Sequence, residues 1–279
     1  MSNVQSPDWN SFGRAVASEK WRRQSAEMGS AMTRAIVSAA QVEPGMHVLD
    51  VACGSGEPAI SIATLLAGTG EVVGADISPA PLQIAAQRAT QRGLTNVRFQ
   101  EADAHRLPFP DASFDCVTSR LGIMFFANAV NALRETYRVL KPGGRAALLT
   151  WGVMGQPYFS STIGTLLRVA QTGTIPEAAR KMFAYGQPGL LAGQLRSAGF
   201  EHAEENFTTV DWTWPGTPQE VWAYFQEVTV PFAPLLKSVP PEKREQVDDA
   251  VVQAIAEYYD GEKVNFGAKI NLTTATKQS

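Results

Sequence analysis

Two glycines and a nearby carboxylate make the stretch around residue 55 the part of this chain best suited to bind a ligand. Gly54 and Gly56 follow an apolar, β-prone stretch and precede an apolar helix. Glycine has no Cβ, so backbone here can approach a ligand closely, and the free N–H groups of the helix from about Pro58 point to the same place. Asp50, near the strand's end, could face that ligand. An ordinary strand–turn–helix that binds no ligand has the same pattern, so residues elsewhere in the chain must show whether this turn is a binding site.

Two further acidic residues stand at the ends of the next two predicted strands. Asp76 lies twenty residues after Gly56, where a carboxylate can accept hydrogen bonds from both hydroxyls of a ribose. Asp103 follows the third strand and can accept a hydrogen bond from an exocyclic amine such as that of adenine. The N–H of Ala104 can donate to a ring nitrogen. In this order, at the ends of neighbouring strands, these residues predict an adenosine site.

The elements that must position these residues alternate between strand and helix. Such alternation with short turns is typical of parallel β-α-β units in a doubly wound, Rossmann-like α/β sheet. The predicted strands are one beginning after Pro44-Gly45, Glu71–Ala75, Val97–Gln100, Phe114–Thr118 and Ala146–Trp151. The predicted helices between them are Ala59–Ala67, one capped by Ser78 and running to about Arg92, and Asn128–Leu140.

The flanking segments follow a different, mostly helical pattern. We predict N-terminal helices at Ser18–Met28 and Ala31–Ala40 with a break at Gly29, and two late strands, His202–Trp214 and Gly267–Thr274. Further helices are predicted at Ser160–Gln171, Pro176–Phe183, Leu190–Ala198, Pro218–Phe232 and Pro241–Tyr259. Ligands bind at the strand ends in such sheets, so we expect the unpaired helices to form a lid there. The predicted segments are lid helices 1–43, a cofactor-binding core 44–151, a lid insertion 152–188, a core helix and strand 189–214, a helical cap 215–263 and a final strand 264–279.

Composition excludes several classes of function. The net charge of −3 argues against nucleic acid as the main partner, because such binding relies on clustered Lys and Arg. Cys53 and Cys116 lie in or beside predicted buried strands, which favours core packing over a disulfide, and with three scattered histidines they make no recognisable metal set. We expect a cytoplasmic protein with no inserted membrane segment. The oligomeric state is left open.

Two kinds of adenosine-containing ligand fit this pattern, a dinucleotide and a cationic nucleoside. Gly54 to Ala59 can be read as a degenerate dinucleotide fingerprint, but Asp50 and Glu57 would repel a pyrophosphate and would suit a sulfonium or amino group. Tyr137 and Lys141 have the Tyr-x-x-x-Lys spacing of short-chain dehydrogenases. They precede the fifth strand without that family's glycine pattern, so we interpret Tyr137 as a core residue and Lys141 as the start of a turn.

Four motifs in the correct order give the chain a resemblance to a known family. The motifs, covering about residues 46 to 151, are V-L-D-V-A-C-G-S-G, the acidic Asp76, D-A-H-R-L-P-F-P-D-A-S-F-D and L-R-E-T-Y-R-V-L-K-P-G-G. With them the chain resembles the class I S-adenosylmethionine-dependent methyltransferases, and within them the ubiquinone/menaquinone-biosynthesis C-methyltransferases. The resemblance implies a seven-stranded sheet whose last strand, Gly267–Thr274, is antiparallel.

The resemblance also assigns site residues. Gly54 and Gly56, with Asp50 and Ala52 beside them, would lie against the methionine part of S-adenosylmethionine. Asp76 and Ile77 would hold the ribose and pack on the adenine. Asp103 and Ala104 would bind the edge of the adenine ring. Ser119 and Arg120 would line the cofactor and the substrate entrance. Ser119-Arg120 departs from the Asn-Pro-Pro-Tyr-like motif of amino methyltransferases that act on bases or protein side chains, which argues against such substrates.

The chemistry implied is in-line transfer of a methyl group to oxygen or carbon of a small, apolar or aromatic acceptor. Apolar pieces such as Val228–Phe232 and Met182–Tyr185 motivate the apolar acceptor. Aligning the reactants can supply about 7–11 kcal/mol, so a base is not essential, and His105 is the best candidate if one is used. Aromatic residues expected to line the cavity, or else to be plain core, are Trp21, Phe125, Phe126, Trp151 and Tyr158. The alternatives are a non-catalytic S-adenosylmethionine-binding module and an NAD-dependent oxidoreductase.

Overall fold

The computed structural model describes residues 12–279, with side chains from residue 16. Its centre is a seven-stranded sheet with the strand order β3-β2-β1-β4-β5-β7-β6. The sequence order reverses next to β1, so ligands are expected at the carboxyl ends of the strands around it. The strands are β1 (His47–Val51), β2 (Glu71–Asp76), β3 (Val97–Glu101), β4 (Phe114–Arg120), β5 (Leu140–Trp151), β6 (Glu201–Trp214) and β7 (Val264–Thr276).

Strand pairing confirms the predicted sheet class. β1 pairs in parallel with β2 and with β4, β2 with β3, and β4 with β5. β7 runs antiparallel to β5, with Trp151 opposite Ile270. Four of the five residues of β1 are buried, as expected for a central strand covered on both faces.

The helices follow local sequence signals at several ends. The Asn128 side chain accepts a hydrogen bond from the Asn131 N–H at the start of α5, and Thr217 and Glu220 form a capping box on α10. The helices are α1 (Phe12–Lys20), α2 (Arg22–Ala40), α3 (Ala59–Leu66), α4 (Pro79–Gln91), α5 (Ala129–Val139), α6 (Pro157–Phe159), α7 (Thr165–Ala170), α8 (Glu177–Lys181), α9 (Leu190–Ser197), α10 (Pro218–Val228), α11 (Ala233–Lys237) and α12 (Arg244–Ala256). A π-helical turn, Ser160–Gly164, separates α6 from α7.

The predicted break in the N-terminal helices was wrong. Gly29 lies inside α2, and the chain breaks at Trp21 instead. A glycine inside a helix costs only about 1 kcal/mol relative to alanine, which tertiary packing readily outweighs. Trp21 is buried, packs on the ring of Trp214 at 5.5 Å and donates from Nε1 to Glu227 at 2.8 Å. These contacts fix the position of the break.

Other predicted boundaries also needed correction. β5 starts at Leu140, so the glycine pair 143–144 and Lys141 lie within the strand instead of in a turn before it. The Ser78 side chain makes no cap hydrogen bond on α4. The predicted helix Ser160–Gln171 is interrupted by the π-helical turn, Pro218–Phe232 ends its α-helix at Val228, and α11 was not predicted.

The chain divides into two units. The sheet unit comprises residues 32–152, 185–208 and 270–279, and it contains β1 to β5 and α3 to α5. Both cysteines are buried and free within it, as predicted. No helix among residues 12–279 is both long and apolar enough to cross a membrane.

The helical unit comprises residues 153–184 and 209–269 together with the described residues up to 31. An aromatic cluster forms its core. The Tyr158 ring lies 4.2 Å from Trp212, 5.4 Å from Phe266 and 5.7 Å from Phe225. Edge and tilted ring pairs of this kind add stability beyond the area they bury.

Candidate functional site

The glycine turn after β1 leaves room above Gly54. Both glycines have positive φ, +52° at Gly54 and +109° at Gly56, which favours glycine over residues with a side chain. A Cβ on Gly54 would meet no atom within 4 Å, whereas one on Gly56 would lie 2.6 Å from Ile60 Cδ1. Gly56 is therefore required by packing against α3, and Gly54 is where a ligand can approach the backbone.

Asp76 joins the glycine turn to the start of α4. Its carboxylate accepts the Gly54 N–H at 2.8 Å through Oδ2 and the Ser78 N–H at 2.9 Å through Oδ1. Each carboxylate oxygen can accept a further hydrogen bond, so both remain able to bind hydroxyls. Ile77, next along the chain, is 61% exposed although it is apolar. The turn, the carboxylate and an uncovered apolar side chain thus come together.

Asp50 is fully buried and does not face an open ligand space. Its Oδ2 accepts the Ala59 N–H at the start of α3 at 3.1 Å, and its Oδ1 accepts the Thr118 hydroxyl of β4 at 2.8 Å. Burial raises the pKa of Asp50 to about 7, against the lowering effect of these two bonds and of the Arg120 charge. Asp50 therefore stabilises the glycine turn from the protein interior, because its hydrogen bonds connect β1 with β4 and with α3.

Asp103 and His105 form a linked pair in the loop after β3. Asp103 Oδ1 accepts the His105 N–H at 2.9 Å and lies 2.7 Å from its Nδ1. These bonds lower the pKa of Asp103. The Asn128 N–H donates to His105 Nε2 at 3.2 Å, which assigns the ring proton to Nδ1. With both nitrogens engaged, His105 must lose one bond before it can accept a proton, and its role as a base stays a prediction.

A strained and incompletely bonded region lies where β1 and β4 end. Ala52 and Leu121 both adopt positive φ, +58° and +60°, which is unusual for residues with a side chain and often marks a functional site. The Ser119 hydroxyl is buried without a hydrogen-bond partner among the described residues. A Cβ on Gly122 would lie 2.5 Å from Ala52 Cβ and 2.9 Å from Ser119 Oγ, so glycine permits this close approach.

The glycine turn, Asp76, Asp103 and Ser119 end neighbouring strands, which is the layout of an adenosine site. Residues 25–169 match the model of the ubiE/COQ5 methyltransferase family. A demethylmenaquinone methyltransferase from Thermus thermophilus is 37% identical over 208 residues, which cover 71% of this chain and 87% of the relative. The chain belongs to the ubiE/COQ5 methyltransferase family. A second demethylmenaquinone methyltransferase, from Deinococcus radiodurans, is 38% identical over 178 residues, 60% of this chain and 73% of the relative.

Solved structures agree with the fold of this methyltransferase. The YcgJ protein from Bacillus subtilis aligns with a TM-score of 0.55 at 20% identity, covering 88% of this chain and 98% of that one. Phosphoethanolamine N-methyltransferase 2 from Haemonchus contortus, solved with S-adenosylmethionine, aligns with a TM-score of 0.56 at 18% identity, covering 96% and 60%. The chain is an S-adenosylmethionine-dependent methyltransferase with a Rossmann-like fold.

Two other charged residues of the methyltransferase are already bonded. Glu57, predicted to favour a cationic ligand, accepts the Ser61 hydroxyl at 2.6 Å and pairs with Arg92 at 3.4 Å. Arg120 donates to the Thr33 hydroxyl at 3.0 Å, which links the end of β4 to α2. Both therefore support the local structure.

The Tyr-x-x-x-Lys spacing has no dehydrogenase geometry. Tyr137 packs edge-on against Phe200 at 5.2 Å, and Lys141 forms an ion pair with Asp115 at 2.8 Å. This confirms that the pair is structural.

Of the aromatic residues predicted to line the cavity or the core, three are buried: Trp21, Trp151 and Tyr158.

Proposed function

We propose that S-adenosylmethionine binds at the carboxyl ends of β1 to β4, against the glycine turn. The observation that carries this proposal is the 2.8 Å contact between the Gly54 amide and the Asp76 carboxylate beside the exposed Ile77. In this proposal Gly54 contacts the methionine part, Asp76 the ribose and Ile77 the adenine. The residues proposed to form the site are Asp50, Ala52, Gly54, Gly56, Asp76, Ile77, Asp103, Ala104, Ser119 and Arg120.

Three features of the residues support this fit. The space above Gly54 lets a ligand approach the backbone of the turn closely. The unpaired Ser119 hydroxyl needs a polar partner, because a buried polar group without one costs about 1–3 kcal/mol. The exposed Ile77 side chain would be removed from water if the adenine ring packed on it. Asp50 acts indirectly, since its oxygens already hold Ala59 and Thr118.

We further propose that the methyl acceptor is a ring carbon of a reduced, quinone-type aromatic molecule. The relatives named demethylmenaquinone methyltransferase support this choice. Bound S-adenosylmethionine supplies a methyl group that is electrophilic because it is attached to a cationic sulfur. A hydroquinone carbon next to a hydroxyl is electron-rich, whereas the oxidised quinone is electron-poor, so the reduced form is the expected substrate. The ring carbon would form a bond to the methyl carbon as the bond from that carbon to sulfur breaks, S-adenosylhomocysteine would leave as the neutral thioether, and the proton of the ring carbon would pass to water.

This chain's own contribution is chiefly alignment. The bonds from Asp76 to Gly54 and Ser78 hold the turn, and those between Asp103 and His105 hold the adenine-side loop, before any ligand arrives. Such preorganisation is what allows proximity to supply about 7–11 kcal/mol of the barrier.

The test separates cofactor from acceptor. Calorimetric titration with S-adenosylmethionine, S-adenosylhomocysteine and NADH should show binding of the two sulfur nucleosides alone; binding of NADH alone would overturn the cofactor assignment. Methyl transfer is then assayed with a short-chain demethylmenaquinol kept reduced, its oxidised form and a catechol. A carbon-methylated product from the quinol alone supports the acceptor. Cofactor binding without turnover of any acceptor would favour the non-catalytic module.

A further inference from the structure

The helical unit contains a pocket of its own. It has a volume of about 220 Å³ and lies among residues of α7, α10, α11 and α12. All its lining residues belong to the helical unit, and none is a proposed cofactor-binding residue. An apolar cavity of about 150 Å³ holds one benzene molecule, and drug-sized ligands need about 300–1,000 Å³. The pocket therefore suits a ligand smaller than a nucleoside cofactor.

The inner wall of the pocket is apolar. Leu166, Trp222, Val239 and Val247 line it and are each at most 5% exposed. They come from three helices and the segment between α11 and α12, so the wall depends on the folded helical unit. A hydrocarbon chain placed against this wall would gain roughly 25 cal/mol for each Å² of apolar surface removed from water.

The rim of the pocket has an excess of positive charge. Neither the Lys237 ammonium nor the Arg244 guanidinium has an ion-pair or hydrogen-bond partner among residues 16–279. The rim's carboxylate, Asp248, is already engaged, because its Oδ1 accepts from Trp222 Nε1 at 2.7 Å and Gln226 Nε2 at 3.3 Å. Arg244 also begins α12, where the helix dipole disfavours a cation. An anion between Lys237 and Arg244 would pair with both cations and would offset the unfavourable effect of the helix dipole on Arg244.

From this combination we infer that the pocket binds a small amphiphilic carboxylate, with its chain on the apolar wall and its head between Lys237 and Arg244. A chain of about six to ten carbon atoms matches the volume, judged from the 150 Å³ that holds benzene. Arginine binds such a head through two parallel hydrogen bonds, and lysine adds a point charge.

The experiment is a calorimetric titration of the full chain with octanoate, with octanamide as the neutral probe of the same shape. We expect saturable binding of one octanoate per chain and at least tenfold weaker binding of octanamide. The double substitution Lys237→Gln, Arg244→Gln should weaken octanoate at least tenfold. Both side chains are exposed, so the fold should persist, which circular dichroism checks. The matched control is Lys181→Gln, whose exposed side chain pairs with Glu177 on α8, and it should leave affinity unchanged.

Tryptophan fluorescence locates the ligand. Octanoate should change the emission of the wild-type chain, and Trp222→Phe should remove most of that change, because Trp222 lines the wall. Equal affinity for octanamide would refute the role of charge. Octanoate binding that survives the double substitution would place the ligand elsewhere, and absence of saturable binding would refute the site.

Discussion

Replacing Asp50 with asparagine should reduce the pH dependence of stability. Burial raises the pKa of Asp50 from 3.8 to about 7 in the folded protein. The folded state therefore holds this proton more tightly than the unfolded chain does. The resulting stabilisation is fully present below the unfolded pKa and is lost as pH rises through the folded value. A shift of about three pKa units, at about 1.4 kcal/mol each, makes the loss about 4 kcal/mol.

Asparagine is a suitable replacement because both hydrogen bonds can be kept. Its Oδ1 can accept the Ala59 N–H, and its amide can donate to the Thr118 hydroxyl, which rotates to accept. The variant keeps the shape of the wild-type side chain but cannot ionise. The free energy of unfolding of Asp50→Asn, relative to wild type, should rise by about 4 kcal/mol between roughly pH 4 and pH 8.

Urea denaturation at a series of pH values, followed by tryptophan fluorescence and far-ultraviolet circular dichroism, measures this difference. The control is Asp249→Asn, at an exposed position on α12, which should follow the wild-type pH dependence. If Asp50→Asn showed that same dependence, burial would not control the ionisation of Asp50 and the reasoning would be refuted. Carboxyl-carbon NMR of Asp50 gives the same test directly.

Four further substitutions test the site and its supports. Asp76→Ala should weaken S-adenosylmethionine binding by about 1.5–3 kcal/mol, the value of a charge-assisted hydrogen bond; unchanged affinity in calorimetry would remove Asp76 from the site. Gly54→Ala and Gly56→Ala both place a side chain at positive φ, so both should lower the melting temperature. Gly56→Ala should lower it more because its Cβ clashes with Ile60, whereas Gly54→Ala should lower cofactor affinity more because its Cβ enters the open space. The reverse order would contradict the assignment of the two glycines. Trp21→Phe, which loses the bond to Glu227, should reduce the free energy of unfolding by about 1 kcal/mol in urea titration.

The sheet and the positions of the proposed site were predictable because their signals are local. The apolar stretch before Gly54 and the turn residues after it mark β1 and α3 with short-range preferences alone. The acidic residues at the ends of β2 and β3 meet the turn because parallel strands place their carboxyl ends at one edge. The lid role of the helical segments stays a prediction.

Residue environments were less predictable, because they depend on partners distant in sequence. Asp50 was predicted to face the ligand, but Thr118, 68 residues away, holds it in the interior. Nothing in the sequence around Ala52 and Leu121 indicated their left-handed conformations, which Gly122 allows by bringing two strand ends together.

The family, the alternation of strands and helices and the residue types at the strand ends can be recognised from the sequence alone. Periodicity and motif order are properties of contiguous residues, so they can be read before folding. The burial of Asp50, the bonds at both nitrogens of His105 and the pocket shared by Lys237 and Arg244 emerge only in the folded protein. Thr118 lies 68 residues from Asp50, Asn128 lies 23 residues from His105, and the pocket wall includes Leu166 of α7, so local sequence does not specify these features.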